Sequence, residues 1–167
     1  MPDVPDLDTL VQQLEQHERD LVLTRFDEDD AWALGLLLRT RAHERGLPVT
    51  IDVRRGGHQL FHAAMPGTAP DNDVWIARKV RVVERFHASS YLVGRRLARA
   101  GRVLDEAAGL APVDHAAHGG AFPLRVRDVG VVGVVTVSGL PQAQDHAFVV
   151  EGLTALLHGH GPAEGAV

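Results

Sequence analysis

The stretch Val49–Phe86, VTIDVRRGGHQLFHAAMPGTAPDNDVWIARKVRVVERF, decides most of the fold. Apolar and polar residues alternate through Val49–Val53, which is the period of a half-buried strand. Gly56-Gly57 provides the backbone freedom for a tight hairpin, after which a second strand returns. The Asp/Asn-rich loop Asp71–Asp73 then leads into a basic amphipathic helix anchored by Trp75. A loop that launches a helix beside a sheet is a common location for a small-ligand site.

The same alternation assigns the side chains of the return strand. It places His58 and His62 on one face, and Gln59 and Phe61 on the other. Four residues at about 3.3 Å each separate the two histidines by about 13 Å, which is too far for them to hold one metal ion together. Surface exposure is the alternative to any single-ligand role for either histidine.

Helical and extended periods continue outward from this stretch in both directions. On the N-terminal side they predict a helix over residues 6–18 capped by Asp6, a strand at 21–23, and a helix from the acidic run 27–30 to Gly46. On the C-terminal side they predict a helix capped by Ser89 or Ser90, strands at 121–127 and 131–137, and a helix from Pro141 to about residue 157. Two hairpins with flanking helices and no βαβ alternation predict an α+β fold with a largely antiparallel sheet.

Length and composition bound the class of protein. At 167 residues the chain suits a single domain, 1–167, with 1–26 as a helix and strand extension and 158–167 as a flexible tail. The absence of Cys excludes disulfides, thiolate metal sites and Cys nucleophiles. The first residues are acidic, and no stretch reaches the roughly 18 apolar residues of a membrane span. We therefore expect a cytoplasmic protein without membrane contact.

Charge is distributed unevenly along the chain. The net charge is −5, which argues against a general nucleic-acid binder. Residues 78–102 nevertheless hold eight basic side chains against Glu84 alone, a formal +7 that leaves −12 on the rest. A run of this kind is either a solvated helix face or a site for an anionic small molecule, and the sequence leaves both interpretations open.

Several blocks of the sequence together resemble one known family. They are 48–52 (PVTID), 59–61 (QLF), 67–68 (GT), 71–73 (DND), 75–76 (WI), 78–79 (RK), 119–124 (GGAFPL), 133–141 (GVVTVSGLP) and 144–146 (QDH). This combination is similar to the bacterial and fungal branch of the haem-degrading-domain superfamily, which also contains GlcG/HbpS-like proteins. The resemblance covers about residues 30–157.

The resemblance implies a profilin-like five-stranded antiparallel sheet with helices on both sides, and assembly into homo-oligomers. It also implies haem or a related anionic tetrapyrrole as the ligand. We predict ligand-binding residues at Trp75, Arg78, Lys79, Arg81, Phe86, His118, Ser138 and Gly139. The basic residues among them would supply charge and the aromatic ones apolar surface, while His118 or His62 would face a haem iron.

Other interpretations of these residues stay open. Asp71–Asp73 lacks the spacing of a Ca²⁺ loop and is better explained as helix capping. The turn Ser138–Pro141 favours either an anion or a plain helix cap. The chain contains no nucleophile elbow, phosphate loop or dinucleotide fingerprint. A scaffold that acts through its oligomeric surface is therefore the alternative to a small-molecule-binding protein.

Overall fold

The computed structural model describes residues 5–160. Within that range the chain forms five α-helices, one short 3₁₀ turn and one five-stranded sheet. In chain order the elements are α1 (Leu7–Asp20), β1 (Val22–Leu23), α2 (Glu28–Arg45), β2 (Thr50–Arg55), β3 (His58–Ala64), α3 (Pro70–Phe86), α4 (Ser90–Arg99), the 3₁₀ turn (Glu106–Ala108), β4 (Ala121–Val126), β5 (Gly130–Ser138) and α5 (Gln142–His160). The predicted α+β class is confirmed.

The sheet has the strand order β1-β4-β5-β2-β3. The pairs β2–β3, β2–β5 and β4–β5 are antiparallel, as predicted. The pair β1–β4 at the edge of the sheet is parallel, with Val22 opposite Arg125. The sheet is therefore mixed, and the purely antiparallel sheet implied by the resemblance is corrected at this one edge.

Helices cover both faces of the sheet, as expected. Alternation along β2 and β5 turns Ile51 and Val137 towards α2 and α5, where the main hydrophobic core forms. On the other face Ile76 and Val80 of α3 pack against Val134 of β5. The N-terminal elements also contact this sheet and its helices, because β1 pairs with β4 and α1 packs on α4.

A β-bulge changes the predicted faces of β3. The register shifts between Val53 and Arg54, so that Val53 pairs with Phe61 and Arg54 pairs with Gln59. Gln59 consequently lies on the α3 face, where its Nε2 donates to the Asp52 carboxylate over 2.5 Å. His58 pairs with Arg55 and His62 with Asp52, three residues away, so the two histidines lie on opposite faces. The predicted shared face of His58 and His62 is wrong for this reason.

Helix ends follow the predicted capping residues with two changes of boundary. Asp6 and Ser89 cap α1 and α4 through their side chains. The segment Asp71–Asp73 lies inside the first turn of α3 rather than in a loop, and Asn72 reaches back to accept the Ala69 N–H over 2.9 Å. The C-terminal helix α5 continues to His160, three residues beyond the predicted end, and the rest of the predicted tail lies outside the described residues.

Residues 5–160 contain no helix that is both long and apolar enough to span a bilayer.

Candidate functional site

Several of the blocks that carry the resemblance converge on one cavity at the end of the sheet where β5 stops. We call this cavity of about 280 Å³ the polar cleft; Asp71, Asn72, Trp75, Lys79, His118, Gly119, Ser138, Gly139, Leu140, Gln142 and Asp145 line it. Its walls come from the N-terminal half of α3, the segment before β4, and the turn from β5 into α5. Five predicted ligand residues therefore meet here: Trp75, Lys79, His118, Ser138 and Gly139.

The paired glycines before β4 allow the backbone to pass close to this cavity. A Cβ at Gly119 would lie 2.1 Å from the Gln142 carbonyl oxygen. Gly120 has φ +132°, and a Cβ there would lie 2.2 Å from the Val137 carbonyl oxygen and 2.7 Å from Lys79 Nζ. Only glycine fits two such positions without moving the backbone, which explains the Gly-Gly block in the sequence.

Lys79 and Asp145 form a buried ion pair at the floor of the polar cleft. Nζ lies 3.2 Å from Oδ2, and the side chains are 4% and 3% exposed. Lys79 also donates to the Val137 carbonyl oxygen over 3.2 Å. Burial lowers the pKa of Lys79 against the opposing effect of Asp145. Burial likewise raises the pKa of Asp145, although Lys79 and two backbone N–H groups oppose the change.

The turn that was predicted to favour an anion already holds one from the chain itself. The backbone N–H groups of Gly139 and Leu140 both donate to the Asp145 carboxylate, over 3.3 and 2.9 Å. Asp145 also accepts a hydrogen bond from Lys79, so its carboxylate pairs both with the ammonium group and with the N–H groups of the turn. Asp145 is the main residue that sequence reasoning did not assign to the site, although its position one turn into a helix after Pro141 was a capping signal.

His118 lies at the boundary between the polar cleft and a second cavity. We call the second cavity, of about 360 Å³, the apolar slot; Gly94, Arg95, Leu97, Ala98, Arg102, Val103, Leu104, Pro112, Ala117 and His118 line it. The His118 ring meets the Trp75 ring edge to face at 5.4 Å. Burial lowers its pKa, and Lys79, Arg78 and Arg95 lower it further. His118 is therefore a neutral imidazole at neutral pH.

Two arginines flank the apolar slot. Arg95 lies over the Tyr91 ring at 5.6 Å, and its buried Nε has no hydrogen-bond partner among the described residues. Arg102, in the segment that follows α4, also lines the slot. Sequence reasoning counted both residues only as members of the basic run.

The basic face of α3 fastens the irregular segment 101–118 to the body of the protein. Arg78 stacks over Trp75 at 4.4 Å and donates to the Pro112 carbonyl oxygen. Arg81 donates to the Asp114 carbonyl oxygen, and Arg85 donates to those of Ala108 and Gly109. These guanidinium groups are not a bare solvated face, because each donates to at least one backbone carbonyl oxygen. The buried Nε of Arg78, like that of Arg95, has no hydrogen-bond partner among the described residues.

The remaining predicted residues lie away from both cavities. Phe86 is 44% exposed at the end of α3 with Arg85 over its ring, and Arg81 lines neither cavity. His62 Nε2 lies within hydrogen-bond distance of Asp73 Oδ1, at 2.8 Å, on the exposed surface. Residues 5–160 hold no cluster of three or more His, Asp or Glu side chains suited to a metal ion. Of the two histidines considered for a haem iron, His118 lines these cavities and His62 does not.

Sequence reasoning did not predict the contact between two histidines, the half-buried His17 and the buried His146. Nδ1 of His17 and Nε2 of His146 lie 3.1 Å apart, and their rings stack at 5.3 Å. Burial, with a smaller contribution from the neighbouring His17, lowers the pKa of His146 to about 3. The pair joins α1 to α5, 129 residues apart in sequence, so no local pattern could have indicated it.

Comparison with known proteins identifies the relatives of this chain. The family model for haem degrading protein HbpS-like matches residues 26–154. The UPF0303 protein of Streptomyces coelicolor is 61% identical over 143 residues, which is 86% of this chain and 90% of the relative. The UPF0303 protein of Streptomyces avermitilis is 58% identical over 143 residues, covering 86% and 88% of the two chains.

Solved structures agree with this result. The yeast Ybr137w protein superposes with a TM-score of 0.82 and 31% identity, over 95% of this chain and 98% of that one. HbpS superposes with a TM-score of 0.63 and 20% identity, over 80% and 91% of the two chains. The PduOC–heme complex gives 0.63 and 19% identity, over 80% and 95%. The last two show a shared fold.

Proposed function

Since the chain belongs to the HbpS-like haem-degrading protein family, we propose that it binds haem or a related anionic tetrapyrrole, with His118 facing the metal. The single observation that carries the proposal is the position of His118 between the polar cleft and the apolar slot. A solved relative of the same fold is a complex with heme. Binding by this chain is our inference from those facts.

The chemistry of His118 suits a haem iron. A neutral imidazole has a free nitrogen lone pair, which is the form that binds iron. Burial and three neighbouring cations keep His118 in that form, as its lowered pKa indicates. His62 is a weaker candidate, because Asp73 already occupies its Nε2.

The apolar slot suits the rest of a tetrapyrrole. Leu97, Val103 and Leu104 provide apolar walls for a flat ring, and the ring would lie on the same side of His118 as these residues. Arg95 and Arg102 provide charge for the propionates, and the unpartnered Nε of Arg95 would gain an acceptor. When bound, the iron would supply the capacity to bind a further small ligand or to change oxidation state.

This assignment shifts the charged part of the predicted site. Arg78 and Arg81 donate to loop carbonyl oxygens, and Lys79 is paired with Asp145. We therefore propose that Arg95 and Arg102, rather than those three residues, meet the ligand's anionic groups. Trp75 keeps its predicted role in part, since its ring supports His118 from the polar-cleft side.

Titration with hemin tests the proposal. Purified protein should give a saturable shift of the Soret band, and His118→Ala should change the band position and weaken binding at least about tenfold. His115→Ala is the matched control, because His115 lies three residues away and lines neither cavity. Arg95→Ala combined with Arg102→Ala should weaken binding without changing the band. An unsaturable response, or equal binding by His118→Ala, would exclude the proposal.

A second candidate function rests on a different surface. Strand β3 is an edge of the sheet, and Trp32 beside it is 59% exposed and meets the Phe61 ring edge to face at 5.6 Å. An unpaired edge with a neighbouring exposed Trp is typical of a protein interface. A scaffold that acts through a homo-oligomeric surface would use this edge and Trp32 as the contact between its subunits. Light scattering on the purified protein and on Trp32→Ser tests this candidate. The natural protein should be an oligomer, and the substitution should weaken it.

A further inference from the structure

The chain has sixteen Arg and a single Lys, Lys79. That residue is also the one whose side chain lies at the floor of the polar cleft with 4% of its surface exposed. Arg would serve equally well in a surface ion pair, but guanidinium is neither a nucleophile nor readily deprotonated. The only lysine of the chain therefore lies where its compact amine can contact a molecule in the polar cleft.

The hydrogen bonds of Lys79 leave part of its capacity unused. An ammonium group has three N–H donors, and within residues 5–160 Lys79 donates to two acceptors, the Val137 carbonyl oxygen and Asp145 Oδ2, both at 3.2 Å. Asp145 is held in place by the N–H groups of Gly139 and Leu140. The result is an amine with a fixed carboxylate beside it to accept and return a proton.

We propose that the polar cleft is a covalent binding site for small hydroxylated aldehydes or ketones, which Lys79 captures reversibly as an imine. The site lies on the opposite side of His118 from the apolar slot, so it does not depend on haem binding. A desolvated lysine beside an acid is the arrangement that imine-forming sites use. Burial lowers the pKa of Lys79, which increases the share of free amine.

The condensation balances with the groups present. The Lys79 ammonium passes one proton to Asp145, and the free amine attacks the carbonyl carbon to form a carbinolamine, whose new hydroxyl takes the second amine proton. Asp145 then returns its proton to that hydroxyl, the C–O bond breaks, and water leaves. The products are a protonated imine and one water molecule, and no oxidant or reductant takes part.

The lining of the polar cleft indicates the class of carbonyl compound. A volume of about 280 Å³ admits only a small molecule. The Asp71 carboxylate has no hydrogen-bond partner among the described residues, and Gln142 uses only its Oε1, which accepts from Gly119. A carboxylate and an amide NH₂ suit hydroxyl groups, and Asp71 disfavours an anionic substrate. Trp75 supplies one flat wall.

Reductive trapping tests the proposal with the natural chain. The folded protein is incubated at neutral pH with glycolaldehyde and cyanoborohydride, and peptide mapping by mass spectrometry then measures modification at Lys79. The N-terminal amine is the other primary amine and serves as an internal reference. The same reaction in urea measures the intrinsic rate at an exposed lysine.

A reactive Lys79 and a purely structural Lys79 predict opposite results in this experiment. A reactive site should be modified at least about tenfold faster in the folded protein than in the denatured chain, relative to the N-terminus. A lysine that only braces the fold should be protected by burial, so equal or slower modification in the folded protein overturns the proposal. Asp145→Asn should slow the folded-state reaction, and Lys79→Arg should abolish modification at that position. Hemin binding is measured separately, so failure of either proposal leaves the other standing.

Discussion

Lys79 Nζ lies 3.2 Å from Asp145 Oδ2, although the two residues are 66 positions apart in sequence. The contact joins α3 to α5 across the end of β5, because Lys79 also donates to the Val137 carbonyl oxygen. The same two side chains form the floor of the polar cleft. Stability and site geometry therefore depend on one ion pair.

Breaking that pair from one side should destabilise the fold strongly. Lys79→Met or Asp145→Asn alone leaves a buried group without its partner, which costs about 3–5 kcal/mol. The double variant should lose clearly less than the sum of the single losses, because no unpaired charge remains. Urea denaturation of the four proteins measures the free energies of unfolding. Additive losses would contradict a direct interaction.

Gly120 should tolerate no side chain. Gly120→Ala forces a Cβ to within 2.2 Å of the Val137 carbonyl oxygen at φ +132°, so we expect a loss of more than about 3 kcal/mol. Gly57→Ala is the matched control, since a Cβ there meets nothing within 4 Å. Thermal denaturation of both variants measures the difference. A small effect at Gly120 would show that the start of β4 can shift away from Val137 of β5.

The His17–His146 pair should make stability fall in mild acid. The pKa of His146 is about 3 in the folded protein and about 6.5 when unfolded, so below pH 6.5 the unfolded state binds more protons. The contribution is complete above pH 6.5 and falls by about 2 kcal/mol on going to pH 5. His146→Phe, which keeps a ring beside Phe122 and Tyr91, should lose this part of the pH dependence. Denaturation midpoints of the natural protein and of His146→Phe, measured above pH 6.5 and at pH 5, test this prediction. Identical pH profiles of the two proteins would refute it.

Arg85 should hold the irregular segment against the body of the protein. Its two N–H groups donate to the carbonyl oxygens of Ala108 and Gly109, and Arg85→Ala removes both bonds. We expect amide exchange in residues 104–116 to become about tenfold faster, with little change in the sheet. Arg39→Ala, at an exposed position of α2, is the control. Unchanged exchange would mean that Arg78 and Arg81 suffice to hold the segment.

Local patterns predicted most elements of this fold. Alternation in Val49–Val53 marked β2, and side-chain capping by Asp6 and Ser89 marked the starts of α1 and α4. The same local rules failed where a neighbouring strand changed the geometry. The bulge opposite Val53 turned Gln59 towards Asp52, and nothing in the sequence of β3 marks that extra residue.

The candidate site was predictable only in part. Trp75, Lys79 and His118 were expected to meet a ligand and do line the polar cleft. Their electrostatic roles were not predictable, because Asp145 neutralises Lys79 and carbonyl oxygens engage Arg78. A count of charges along the chain cannot show which cations already have partners.

The sequence by itself determined the α+β class, the hairpins, the capping residues and the family. These depend on the short-range periodicity of burial and on backbone preferences that each residue carries into any fold. Tertiary structure alone decided the parallel β1–β4 pair, the bulge in β3, the Lys79–Asp145 and His17–His146 contacts, and the place of His118 between two cavities. Such contacts join residues far apart in the chain, and their geometry is set by how the elements pack together.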